Sequence, residues 1–196
     1  MPARRAQLSI VLAAVLLVLA ATAVYAAVAC SLSNPDRDVK NLYNDSTGYR
    51  TDIWNIKQIT GLEGKIEAEL GRQLNQQNEL DVDYASYRVL KGDQRIGLIM
   101  CSSERGKYGV IQVITALDNH GTIRSMHLQK HSHPKAAAFR DAAWLNRFVG
   151  LTRADLKSGK AYQIPSPAGE DGKQDTLAII QGLHKQLIMK DAKYGA

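Results

Sequence analysis

The chain is predicted to be an α+β protein: a mostly antiparallel sheet flanked by helices, preceded by one N-terminal transmembrane helix. Three features of the 196-residue sequence lead there. An uncharged apolar run opens it, a block of period-two hydrophobicity broken by tight-turn residues fills the middle, and stripes of helical period lie before and after that block. With 45% hydrophobic residues the chain can bury a real core.

The opening MPARR is followed by AQLSIVLAAVLLVLAATAVYAAVAC, and no charged residue occurs between Arg5 and Asp36. A helix crosses the hydrocarbon core with about 20 apolar residues, whereas the apolar part of a cleaved signal peptide is usually about 7 to 15. An uncleaved anchor over residues 1–30 is therefore expected, with an extracytoplasmic domain over residues 31–196. Arg4 and Arg5 place the N-terminus in the cytoplasm, making this a single-pass protein of the inner (cytoplasmic) membrane with a periplasmic C-terminal domain. Ala27-Val28-Ala29-Cys30 also looks like a lipoprotein cleavage site with Cys30 lipidated, and signal-peptidase cleavage before Cys30 is a third route. All three leave the globular part on the same side of the membrane.

Setting Arg4 and Arg5 aside, 25 basic residues become 23 against 19 acidic ones. That excess is scattered and forms no polybasic arm, which argues against nucleic acid as a partner. Cys101 lies inside an apolar strand-like run and reads as a small buried hydrophobe. Cys30 sits at the membrane, so a Cys30–Cys101 disulfide is not expected, and there is no CxxC or CxxCH spacing.

Along the globular part, Pro35 opens a short helix over Asp36–Tyr43, and Gly48–Ile59 alternates in parts like a strand. Thr60–Leu74 is helical, with Leu62, Ile66, Leu70 and Leu74 four residues apart. Glu67 and Glu69 do not face one another there and form no acid/base pair. NQQNELDVD reads as a loop. Tyr84–Leu90, a Lys91-Gly92-Asp93 turn and Arg95–Cys101 make a hairpin, and SSERGK reads as a polar loop. Tyr108–Leu117 and Thr122–Gln129 flank a second turn at Asp118–Gly121. Tyr108–Leu117 is largely apolar on both faces, which predicts a central strand covered on both sides. Lys135–Arg147 and Thr152–Leu156 have helical patterns, and IPSPAGEDGKQ reads as a loop. Asp175–Lys190 closes the chain as a helix, with Asp175 as its cap and Leu177, Ile180, Leu183 and Leu187 as its apolar stripe.

The run from Tyr87 to Leu151 resembles the FMN-binding domain family, found in the G subunit of Rnf complexes and the C subunit of sodium-pumping quinone reductases. The resemblance rests on an order of features: Gly92-Asp93 and Ile96-Gly97 in a hairpin, the Asp118–Ile123 turn, a strand-end motif over Met126–Pro134, and Phe148–Leu151 after a helix. An anchor followed by an extracytoplasmic domain is also the layout of those subunits. Two departures stand out. His131-Ser132-His133-Pro134-Lys135 is one residue shorter than the family's strand-end motif and lacks its Glu and Gly. Where many members carry Ser/Thr-Gly-Ala-Ser/Thr for flavin attachment, this chain has Glu170-Asp171-Gly172-Lys173, which cannot form the phosphoester.

The resemblance implies non-covalent FMN or none. His131 and His133 would contact the flavin edge. Lys173 and Thr176, at the start of the last helix, would meet its phosphate, opposed by Glu170, Asp171 and Asp175. His127, His131 and His133 share strand parity, but no Cys, Asp or Glu joins them in that segment, so no metal site is assigned. Ser132 faces away from both neighbouring histidines in a strand, which leaves no nucleophile–base pair. The expected function is an electron-transfer or accessory subunit of a membrane redox complex, with the membrane and the other subunits as partners. The alternative is a cofactor-free structural or docking subunit that retains the fold.

Overall fold

A computed structural model describes residues 29–195. The expected membrane helix falls on residues outside that range, and among the described residues no helix is long and apolar enough to cross a membrane. The domain is α+β, as the sequence predicts. Five strands, β1 (Gly48–Trp54), β2 (Tyr84–Lys91), β3 (Gln94–Gly106), β4 (Gly109–Leu117) and β5 (Ile123–Lys130), form an antiparallel sheet in chain order. The helices are α1 (Pro35–Leu42), α2 (Leu62–Leu70), the short α3 (Ala136–Phe139), α4 (Ala142–Leu145) and α5 (Arg153–Lys157), and the long α6 (Lys173–Tyr194).

Alternation along the strands builds two cores. Leu98 and Met100 of β3, with Ile111, Val113 and Leu117 of β4, face α6, α2 and the aromatic residues Phe139, Trp144 and Phe148. Ile99 and Cys101, with Ile114 and Ala116, face the opposite way onto an N-terminal arm that contributes Cys30, Leu32, Val39 and Tyr43. β4 is therefore an interior strand covered on both sides, as its apolar faces predict. Tyr43 crosses the sheet at Gly97, where a Cβ would lie 2.4 Å from its ring, and its hydroxyl donates to the carbonyls of Leu98 and Leu117. Only glycine lets the ring lie that close to the backbone.

The arm is pinned by a disulfide between Cys30 and Cys101, whose Cα atoms are 5.5 Å apart. This corrects two expectations: that Cys30 and Cys101 are not joined, and that Cys101 is only a small buried hydrophobe. From Cys30 to Tyr43 the chain lies over the sheet, and Cys101, in mid-strand, meets Cys30. Three further expectations change. SSERGK is strand, not loop: β3 runs to Gly106 because Ser102 and Glu104 meet polar side chains of α6 and not solvent. Lys135–Arg147 is no continuous helix; Asp141 accepts from the Trp144 N–H and starts a new one after Arg140. The polar run after Leu74 holds a single π-turn over Gln76–Leu80, with Asn75 accepting from the Asn78 N–H.

Closing so long a loop lowers the entropy of the unfolded chain. Replacing both Cys30 and Cys101 by Ala is expected to cost about 2–4 kcal/mol, seen as a lower urea midpoint. An unchanged midpoint would show that the arm is not covalently held.

Candidate functional site

The two histidines lie just beyond β5, wedged between the β3–β4 hairpin and the first turn of α6. His131 donates from Nε2 to Asp175 Oδ2 at 2.8 Å, and each of the two side chains is only 1% exposed. Asp175 Oδ1 accepts the Lys107 N–H at 2.6 Å. A Cβ at Gly106 would sit 2.5 Å from that oxygen, so the hairpin reaches the carboxylate only because position 106 is glycine. Asp175 thus lies inside α6, at its third residue, and ties the hairpin and the histidine turn to the helix; it does not cap the helix as its sequence position suggests.

His133 accepts the Lys135 N–H on Nδ1 at 2.8 Å, which leaves Nε2 directed toward Asp171 Oδ2 at 3.5 Å. Asp171 also takes the Lys107 ammonium and the Tyr108 hydroxyl. Phe139 packs against both imidazoles, and Tyr108 meets His133 edge-on at 4.8 Å between centroids. His127 does not join them. It lies beside Arg37, Asp38 and Leu42 of α1, on the arm's face of the sheet. Among the described residues no group of three or more His, Cys, Asp or Glu could hold a metal.

Lys173 and Thr176 lie elsewhere. They line a groove of about 310 Å³ with Tyr162, Pro165, Leu177 and Ile180, and neither His131 nor His133 borders it. The Lys173 ammonium is held by Glu170 at 2.6 Å. The Thr176 hydroxyl is buried without a partner. The four residues thus separate into a histidine pair packed inside the fold and a Lys/Thr pair on a groove.

A flavin phosphate needs free donors, and this donor set does not fit one. His131, Lys107 and Lys173 are each engaged by a carboxylate, and the Lys173 N–H donates to Glu170 O in the preceding turn of 3₁₀ helix, Gly169–Gly172. A dianion would also face Glu170, Asp171 and Asp175 within the same short stretch.

A second buried polar cluster has no counterpart in the sequence reading. Lys185 of α6, fully buried, lies 2.6 Å from Glu79 Oε1 and 2.7 Å from Glu104 Oε1. Arg72 pairs with Glu79 at 2.8 Å and approaches Glu104 at 3.6 Å. Burial alone would drive the lysine toward its neutral form, but Glu104 and Glu79 outweigh it and hold its pKa above the ordinary value. Burial likewise opposes ionisation of Glu79, yet Arg72 and Lys185 bring its pKa down to about 2. Two cations and two carboxylates thus balance beneath a cleft of about 290 Å³ bordered by Arg72, Asn75, Asn78, Arg105 and Gln181. The sequence signal was faint: Glu79 lies in a polar run, Glu104 in SSERGK, and only their approach to α6 in space reveals their use. At Gly182 a Cβ would lie 2.7 Å from Glu104 Cγ, so that glycine admits the carboxylate.

No protein-family model matches this chain, and no curated protein matches it.

Removing Lys185 leaves two carboxylates facing each other in the core. Lys185→Ala is expected to cost about 3–5 kcal/mol of stability, measured by urea denaturation. A loss under about 1 kcal/mol would place the pair in the range of solvent-exposed ones. The histidines give a pH signature. Burial lowers the pKa of His127, His131 and His184 below the ordinary 6.5, outweighing nearby carboxylates. The unfolded chain then takes up protons that the folded one refuses, so stability is complete above pH 6.5 and falls as pH drops through that value toward the folded pKa. The urea midpoint should fall between pH 7.5 and about 5.5, above the range where carboxylates titrate, and fall less in His131→Gln. An identical pH slope in His131→Gln would remove His131 from the set.

Proposed function

We propose that the chain is a membrane-anchored, extracytoplasmic domain that serves as a cofactor-free docking or structural subunit of a membrane redox complex. The observation that carries this reading is the internal pairing of His131 and Lys173, two of the four cofactor-binding candidates. Asp175 engages His131, Asp171 faces His133, and Glu170 holds Lys173. The resemblance over Tyr87–Leu151 supports the kind of assembly. The Cys30–Cys101 disulfide supports an oxidising, extracytoplasmic location. It also favours a retained anchor, since it uses the sulfur that lipidation would need and cleavage before Cys30 would sever Ala29 from the fold.

One observation favours a second reading, an electron-transfer subunit with non-covalent FMN. The unpartnered Thr176 hydroxyl borders a groove that also offers Tyr162, Pro165 and Ile180 as apolar surface. The visible spectrum of the purified full chain, followed by titration with FMN, decides between the two. A colourless protein whose melting temperature and flavin fluorescence do not respond to excess FMN is expected. A yellow protein that releases flavin on acid precipitation would overturn the docking reading, and weaker binding by Thr176→Val would then assign the flavin to the groove.

A further inference from the structure

Among the described residues, the N-terminal arm covers its face of the sheet only in part. Cys30, Leu32, Val39 and Tyr43 close the middle of it, over Ile99, Cys101 and Ile114. Toward the β3–β4 hairpin the described part of the arm begins at Ala29, beside a hollow of about 280 Å³ bordered by Ala29, Val82, Ser103, Arg105, Val110 and Gln112. Arg105 and Val110 are register partners across β3 and β4, and both are exposed, Val110 by 42%. Tyr108, at the hairpin tip, is 39% exposed. Lys130, the partner of Gln112 across β4 and β5, is exposed as well.

Ala29 has no slack. Its N–H donates to Asp83 O at 2.8 Å, its carbonyl accepts the Ser103 hydroxyl at 2.5 Å, and the next residue is disulfide-bonded to Cys101. Upstream, no charged residue intervenes before Arg5. An apolar anchor within the uncharged run before Ala29 would use about 20 residues, which keeps the connection to the domain short and this end of the sheet near the bilayer. The hairpin end also has suitable chemistry. Val110 is a small apolar contact, and Arg105 and Lys130 are cations for lipid phosphates. Asp171 on the same end is already engaged by Lys107.

We propose that this face, Arg105 and Val110 with Lys130 beside them, lies against the anionic phospholipid surface of the membrane, holding the sheet in one fixed orientation. The opposite end, with the β2–β3 turn at Asp93, then points away from the bilayer. The two ends are separated by the length of β3, about 40 Å at 3.3 Å per residue. The proposal rests on the membrane-anchored reading.

Both described cysteines are joined in the disulfide, so an introduced cysteine is the single free thiol of the domain. The full chain, labelled with an environment-sensitive fluorophore at Val110→Cys or at Asp93→Cys, is reconstituted into vesicles of phosphatidylethanolamine and phosphatidylglycerol that contain headgroup-quencher lipids. Matching urea midpoints establish that both variants fold. Several-fold stronger quenching at position 110 than at position 93, reduced by adding Arg105→Glu, is the expected result. Equal quenching at the two positions, or stronger quenching at 93, in protein that still floats with the vesicles would overturn the membrane-facing surface and leave the anchor standing. Protein that does not float with the vesicles would overturn the anchored reading, and this proposal with it.

Discussion

The fold depends on the burial of α6. From Asp175 to Lys190 most of its residues are enclosed, and they include Asp175, His184, Lys185, Gln186 and Lys190 as well as the apolar ones. Polar groups taken out of water must be paired inside the protein, so the helix dictates where its surroundings put theirs. Asp175 draws in the hairpin backbone and His131. Lys185 fixes Glu79 and Glu104, and Gln186 donates to Ser102 and the Val113 carbonyl. His184 approaches Glu69, which Arg153 links onward to Asp191. Together these contacts join α6 to β3, β4, α2, α5, the Gln76–Leu80 turn and the histidine turn, so the seam sets the position of the loops as well as that of the strands.

The other side of the sheet is held differently. There the arm supplies apolar contacts, one tyrosine laid over Gly97 and one covalent bond, with few charges. One face is thus specified by polar complementarity and the other by a covalent clamp close to the point where the chain enters the domain. The clamp transmits any restraint on the residues before Ala29 directly to the centre of β3. That is a mechanical arrangement suited to a domain whose orientation matters to its neighbours.

Much of the architecture was legible because it rests on local pattern. The two-sided apolarity of Tyr108–Leu117 requires an interior strand, and the Gly92 and Gly121 turns mark the hairpins, both with positive φ. What was not legible depends on proximity in space. Ser102 and Glu104 have the polarity of a loop, and only their contacts with α6 make them strand residues. Cys30 is separated from Cys101 by 71 positions, and nothing in the local sequence shows that the arm folds back. His127, His131 and His133 have matching parity only if the strand continues, whereas β5 ends at Lys130 and the parity argument ends with it. Lys173 and Thr176 were correctly placed together at the start of the last helix, but the side of that helix they occupy depends on how it packs.

The histidine cluster is drawn into the packing between the β3–β4 hairpin and α6. A dianionic ligand entering beside α6 would have to displace carboxylates that already hold His131, Lys107 and Lys173. The enclosed His131–Asp175 bond is of the kind that contributes about 1.5–3 kcal/mol, whereas the Lys107 and Lys173 pairs are solvent-exposed and screened. The ligand would therefore have to replace the buried His131–Asp175 bond and overcome repulsion from Asp171 and Asp175. With those donors committed internally, the imidazoles, Phe139 and Tyr108 act as the packing that fastens the hairpin to the helix. The same hairpin carries Arg105 and Val110, so the pairing that closes the interior site also makes that end of the sheet rigid enough to serve as a contact surface.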